Sequence, residues 1–263
     1  MLSYQHIYHA GNLADVHKHA LLCAALDYMT HKDKPLSYIE THAGRGLYDL
    51  GAAEALKTGE GAAGIDLVRA RGWFAPDHPY MRVLSRVAEV HGAQAYAGSP
   101  VLAAETLRDM DSLHFAELHP QEFTALEYAM SPFGAKCAKA DGLAHAMAIC
   151  PPMPRRGMIL IDPSYEIKTE YQDLPVFIGK LNRKWNVGVI ALWYPILTSG
   201  AHKEMVAALR KMSLPDVLDH RVYFPPAREG HGMIGSGMFI VNALYGLDAE
   251  ASALSGKFSA LAG

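Results

Sequence analysis

The chain has 263 residues, half of them hydrophobic, and a formal net charge of −3. That length suits one large α/β domain or a domain with an inserted piece. The slight acidity excludes broad, unspecific adhesion to nucleic acid but leaves room for a local basic patch. No run of about 18 apolar residues occurs, so no transmembrane helix is expected, and the opening MLSYQHIYHAGN lacks a signal-peptide core. Three cysteines (Cys23, Cys137, Cys150) have no metal-ligand spacing, which suits free thiols in a reducing, cytoplasmic setting. Of the fourteen histidines, His6, His9, His17 and His19 fall in the first nineteen residues.

Residues 1–11 read as an ordered loop. Leu13, Val16, Ala20, Ala24 and Tyr28 then recur at helical spacing to about His31, with Asn12 as the N-cap and Asp15 one turn before His19, a favourable pairing if that histidine is charged. Leu36 to Thr41 reads as a first strand, followed by the small-residue turn His42-Ala-Gly-Arg-Gly46. Between Leu47 and Ala97 the strand–helix rhythm fails, and Ile65–Arg71 and Pro79–His91 look helical. This predicts a small helical insertion, residues 47–97, in a sheet domain made of 1–46 and 98–263. Ser99-Pro100 opens another helix, with the serine expected to cap it and the proline in the first turn. The rhythm then resumes: strand 112–118, helix 120–130, a short strand 135–139, helix 142–150, a strand from Met158, helix 170–185, strand 187–194 and helix 202–212. Two final strands, 217–224 and 238–244, have no helix between them, only a glycine-rich loop at 225–237. The last fifteen residues are mostly small and read as a frayed end.

Chemistry-bearing residues gather at strand ends. Met158 to Ile161 is a continuous apolar run, as in a parallel strand buried on both faces. It ends in Asp162, Pro163, Ser164 and Tyr165, at the rim where open α/β sheets bind ligands. Glu117 and Asp141 end two other strands. A carboxylate there can fork onto ribose hydroxyls, which suits Glu117, while Asp141 can receive an adenine's exocyclic amine; each could equally cap the next helix. Asp162 and the Pro163 carbonyl are two acceptors suited to N–H bonds of an exocyclic amine, and Tyr165 offers a ring for an extruded base to stack on. The histidines do not form a metal site: His17 and His19 lie about 200° apart on a helix, and no thiolate or Glu completes a zinc pattern. They and Lys18 suit contacts to phosphate or to a carboxylate instead. Lys18, Arg45, Arg155, Arg156 and Lys168 are candidate members of a local basic patch that could meet nucleic-acid phosphates.

Asp-Pro-x-Tyr resembles the Asp-Pro-Pro-Tyr signature of S-adenosylmethionine-dependent methyltransferases that act on exocyclic amines of bases. More specifically, the chain resembles the RlmJ family. The similarity runs through Tyr4-Gln-His6, His9-Ala-Gly-Asn12, Ala14-Asp-Val-His-Lys18-His19, Thr41-His42-Ala-Gly, Gly98-Ser99-Pro100 and Glu117-Leu-His-Pro. It continues through Lys139-Ala-Asp141-Gly142, Ile161-Asp-Pro, Ala191-Leu-Trp-Tyr-Pro195 and Ser236-Gly-Met238. The resemblance implies a Rossmann-like α/β methyltransferase sheet of seven strands whose last pair is a hairpin, with a small helical insertion. It implies methylation of N6 of an adenine in 23S ribosomal RNA with S-adenosylmethionine as cofactor. Cofactor contacts would carry over to His19, His42, Ser99, Glu117, Asp141, Gly142 and Asp162, catalysis to the Asp162–Tyr165 stretch, and substrate contacts to Tyr4, His6 and Lys18, in an N-terminal segment that orders over the site. No metal and no membrane partner are implied, and a monomer is the default. Two departures stand out: Ser164 replaces the usual second proline, and Asn242-Ala-Leu replaces Asn-Pro-Pro. DNA adenine methylation, or cofactor-dependent RNA binding without catalysis, are the alternative readings.

Overall fold

A computed structural model describes residues 5–225 and 232–261. After a 3-10 turn at His6–Tyr8, the elements in order are α1 (Leu13–Thr30), β1 (Ser37–Glu40), β2 (Leu47–Asp49), α2 (Ala53–Thr58), α3 (Leu67–Ala70) and α4 (Pro79–His91). Next come β3 (Ala95–Ala97), α5 (Ser99–Thr106), β4 (Ser112–Ala116), α6 (Pro120–Met130), β5 (Lys136–Ala138), α7 (Gly142–Ile149) and β6 (Gly157–Ile161). The chain closes with α8 (Glu170–Lys184), β7 (Val189–Leu197), α9 (His202–Arg210), β8 (Leu218–Tyr223), β9 (Met233–Val241) and α10 (Leu247–Ser259).

The main sheet has seven strands in the order β5-β4-β1-β6-β7-β9-β8. β5, β4, β1, β6 and β7 run parallel, and β9 pairs antiparallel with both β7 and β8. The order reverses direction between β1 and β6, so the crevice beyond their carboxyl ends is where such a sheet receives a ligand. Apolar runs such as Met158–Ile161 are explained by cover on both faces. Met158 and Leu160 pack with α1, α4, α5 and α10, while Ile159 and Ile161 pack with α8 and α9.

Helix α1 lies against the centre of one face. Asn12 caps it as expected, accepting from the Asp15 amide at 2.9 Å. Its helical stripe is not amphipathic, because β9, α4, α5 and α10 surround it and even Asp15, His17, Lys18 and His19 are buried.

Several expectations change. Residues 47–97 are not purely helical: β2 and β3 pair antiparallel, Leu47 with Ala97 and Asp49 with Ala95, zipping the ends of the segment together. Strands of three residues are too short for a two-residue period to show. Ile65, Val68, Tyr80, Val83, Leu84 and Val87 from this segment join the core beneath α1. Ser99 does not cap α5. Gly98 occupies the cap, and the buried Ser99 hydroxyl donates instead to Glu40.

β9 begins at Met233, inside the expected glycine-rich loop, while residues 226–231 of that loop lie outside the described residues. Gly237 sits in the strand because a Cβ there would meet the Tyr194 ring at 2.1 Å. The expected frayed tail is helix α10. Leu247, Ala251, Leu254 and Phe258 form one buried stripe, and the Phe258 ring packs on Trp73 and Phe224. Among the described residues, no helix is long and apolar enough to cross a membrane.

Candidate active site

A cavity of about 420 Å³ opens at the carboxyl ends of the parallel strands. The loop after β1 contributes His42, the loop after β4 Glu117, the start of α7 Asp141 and Gly142, and the loop after β6 Asp162 to Tyr165. Ser99 from α5 and His6, Lys18 and His19 from the N-terminal region complete the set. The structure therefore brings these sequence-predicted residues to one cavity; Tyr4 lies outside the described residues.

Three of the acids behave differently. Both Glu117 oxygens face backbone amides, Oε2 accepting from Gly44 N at 2.8 Å and Oε1 from His119 N at 2.7 Å. Burial pushes its carboxyl up, and those two bonds oppose the shift. Asp141 caps α7 through the Ala144 amide at 2.8 Å while lining the cavity, so capping and site are compatible. Gly142 follows because a Cβ there would lie 1.7 Å from the Thr41 carbonyl oxygen. No side chain can stand between them, so the start of α7 closes directly on the β1 loop at the cavity floor.

Asp162 is the third acid, and its partner comes from α1. Lys18 Nζ donates to Asp162 Oδ2 at 2.5 Å and lies 3.0 Å from Asp15 Oδ1. Asp15 also accepts from Gly11 N at 2.9 Å and lies 2.8 Å from His6 Nε2. Burial would lower the Lys18 ammonium, but the Asp15 and Asp162 carboxylates override it and hold its pKa above the ordinary value. Burial likewise pushes Asp15 up, and His6 and the Lys18 ammonium beside it more than reverse this, holding it well below the usual carboxylate range.

The same geometry revises the expected RNA patch. Lys18 is 3% exposed and engaged by two carboxylates, so it is an internal cation of the site and not a surface phosphate contact. Arg155 and Arg156 precede β6 and stand at its amino end, across the sheet from the cavity; Arg156 donates to the carbonyls of Met29 and Lys34. Arg45 forks onto Glu122, with contacts of 3.0 and 2.6 Å. Lys168 is exposed in the loop after β6, between Ile167 and Glu170, which line the cavity.

His6, His9, His17, His19 and His42 are each engaged. His19 is buried with Nδ1 2.8 Å from the Tyr96 hydroxyl, and burial drives its pKa to about 3. The expected charged pairing with Asp15 therefore does not form; the two stand 3.8 Å apart with the imidazole neutral. His42 bonds the Thr41 hydroxyl at 2.8 Å, and burial lowers it to about 4. Among the described residues, no cluster of three His, Cys, Asp or Glu could hold a metal.

Tyr165 has φ of 56° and donates its hydroxyl to the Trp193 carbonyl at 2.7 Å. Its ring packs on Tyr171 at 4.6 Å, so one face is already covered. Trp193 lines the cavity between Tyr165, 6.1 Å away, and the Lys18 ammonium, 5.5 Å from its ring centre. Sequence reasoning missed Trp193 and Asp15, which line the cavity, and Glu40, which bonds the lining residue Ser99. Glu40 is fully buried at the end of β1, bonded by Ser99 and, at 3.1 Å, by Tyr38. Burial pushes its carboxyl up to about 8. Its place at a strand end between Thr41 and the apolar run is a signal that could have found it; nothing local marks Asp15.

Comparison with known proteins places this architecture. A family model described as ribosomal RNA large subunit methyltransferase D, RlmJ, matches residues 33–259. The chain is 38% identical to ribosomal RNA large subunit methyltransferase J of Escherichia coli K12, over 95% of this chain and 90% of that protein. It is 34% identical to the protein of the same name from Haemophilus influenzae, with the same two coverages. A crystal structure of protein LPL1258 from Legionella pneumophila superposes with a TM-score of 0.82 at 33% identity, covering 96% of this chain and 94% of that one.

Proposed function

The chain belongs to the RlmJ family of large-subunit ribosomal RNA methyltransferases, and from that premise we propose that it methylates the exocyclic N6 of an adenine in 23S ribosomal RNA, with Asp162 as the acceptor that activates the amine. The observation that carries the assignment is Asp162 itself: a carboxylate at the switch point of the sheet, beside an open cavity and held in place by a buried lysine.

The cavity suits S-adenosylmethionine. Gly142 lets α7 start directly against the β1 loop, and Glu117 and Asp141 line the cavity from neighbouring strand ends. Glu117 would hold the ribose hydroxyls and Asp141 the adenine amine, with His42 and Ser99 lining the remainder. The bound cofactor supplies an electrophilic methyl group on a sulfonium.

The N6 lone pair of adenine is delocalised into the ring, so the amine is a weak nucleophile. An acceptor on its N–H bonds helps to localise that pair on nitrogen. Asp162 and the Pro163 carbonyl provide acceptors at one point of the rim. Lys18 keeps the Asp162 carboxylate oriented in a cavity wall that is only partly wet. Trp193 and Tyr165 bound the space in which an extruded base would lie, and base stacking on such rings contributes about 1–3 kcal/mol. Positioning is then the main catalytic contribution.

Under this reading residues 1–46 and 98–263 form the methyl-transfer domain and 47–97 the insertion. Tyr4 and His6 act on the substrate side, the enzyme works as a monomer, and it works in the cytoplasm where ribosomal RNA is processed. The test is transfer of labelled methyl from S-adenosylmethionine to unmodified 23S RNA, followed by nucleoside analysis. N6-methyladenosine in the RNA, lost in Asp162→Ala with cofactor binding retained, is the expected result. Label in DNA alone, or an active Asp162→Ala, would overturn the assignment.

A further inference from the structure

Trp193 is held from behind by polar groups that the reaction does not use. Its indole Nε1–H donates to Ser236 Oγ at 2.9 Å. Ser236 Oγ lies 2.8 Å from His17 Nδ1, His17 Nε2 lies 2.9 Å from His220 Nδ1, and His220 Nε2 lies 2.8 Å from Ser255 Oγ on α10. Strand register explains the alignment. Met238 is the partner of Trp193 on one side and of His220 on the other, and Ser236 lies two residues along the same face of β9. His17 descends onto that face from α1.

The proton order along this chain follows from its ends. An indole N–H can only donate, so Ser236 accepts from Trp193. Ser236 is fully buried, and its hydroxyl hydrogen has one other partner among the described residues, His17 Nδ1. His17 therefore carries its proton on Nε2 and donates to His220, which donates in turn to Ser255. All four ring nitrogens are then used, with both imidazoles neutral. Burial, together with the other ring, favours the neutral form of His17, and burial favours it for His220.

We infer that His17 and Ser236 are positioning residues for methyl transfer: through a one-way hydrogen-bond chain they fix the indole of Trp193, the wall against which Lys18 and Tyr165 are set. The inference rests on the assignment of Asp162 and its cavity as the site of methyl transfer. Among the described residues, Tyr165 donates to the backbone carbonyl of Trp193, Lys18 sits over its ring, and Ser236 accepts from its Nε1–H. The last of these is the directional bond to the ring itself, and it sets the ring's rotation about its own side-chain bonds. Releasing it lets the wall tilt, which misplaces both the extruded base and the ammonium that orients Asp162. The chain also ties the cavity wall to α10, none of whose residues lines the cavity.

Ser236→Ala removes the junction and His17→Asn removes a link one bond further from the indole. Both are to be compared with wild type by turnover on 23S RNA, cofactor-binding calorimetry, and the indole N–H resonance of Trp193 assigned through Trp193→Phe. The expected result is turnover lowered about tenfold or more, with one cofactor bound per chain at an affinity within about twofold. In both variants the Trp193 indole resonance shifts and its proton exchanges faster with solvent. Unchanged turnover, or cofactor binding lost in step with turnover, would overturn the positioning role. An indole resonance unmoved by His17→Asn would overturn the chain itself, whatever the activity. Wild-type protein that transfers no methyl group to RNA would refute the underlying assignment instead, and the resonance would still decide the chain.

Discussion

Glu40 offers the sharpest quantitative test, because one buried carboxyl should leave a signature in the pH dependence of folding. It is fully buried at the end of β1, and burial raises it from 4.5 to about 8 against the opposing bonds from Ser99 and Tyr38. The unfolded chain releases this proton near its ordinary pKa, while the folded chain keeps it until pH approaches 8. Between those values the folded state binds more protons, so stability falls as pH rises. One extra proton held by the folded state costs about 1.4 kcal/mol of stability for each pH unit climbed, or ~3–4 kcal/mol between pH 5 and pH 8. Glu40→Gln keeps the shape and removes the titration. Urea unfolding of both proteins at half-unit steps from pH 5 to 9 isolates the effect in the difference, since other groups cancel. The variant should gain on wild type steadily up to about pH 8 and then run parallel. A difference that is flat across the range would refute the reasoning and mean that Glu40 is ionised in the folded protein. A neutral Glu40 also matters to the site, since it spares Asp162 a third anion where Asp15 and Asp162 already share Lys18.

Other expectations follow from the same geometry. Lys18→Met leaves Asp15 and Asp162 without their shared cation, and breaking a buried pair in this way costs about 3–5 kcal/mol; urea unfolding should show the loss, and methyl transfer should fall with cofactor still bound. Gly142→Ala drives a methyl group into the Thr41 carbonyl, so calorimetry should show cofactor affinity reduced by about tenfold or more, ~1.4 kcal/mol; wild-type affinity would mean the floor is not a cofactor surface. Phe258→Ala empties a site walled by Trp73, Phe224 and His17, and should destabilise the protein by about 3–5 kcal/mol in denaturant unfolding, which a frayed tail would not do.

Much of the fold was legible along the chain because it is written in local periods. The apolar run Met158–Ile161, the helical stripe of α1 and the loss of alternation before the last two strands each report burial over a few residues. Acids at strand ends were legible for the same reason: knowing where a strand stops locates Glu117, Asp141 and Asp162 at the rim before any contact is known. Elements shorter than their own period were not, as β2 and β3 show. The stripe of α10 was present but masked by small residues, since Ala251 contributes little area and Ala, Ser and Gly fill most positions between Leu247, Leu254 and Phe258.

What the sequence by itself determined, then, is the order of elements, the crevice they make and the residue types offered to it, together with the family signatures that run through them. Which side chains meet was decided only by the tertiary structure. Lys18 finds Asp162 across 144 residues, and His17 finds Ser236 across 219. No local period connects such positions. The choice among possible partners is made when α1 packs across the sheet and each buried polar group must bond whatever the neighbouring strands present, because leaving it unpaired costs about 1–3 kcal/mol. A surface lysine by sequence thus becomes the internal cation of the site, and a histidine that invites a metal becomes a link behind its wall.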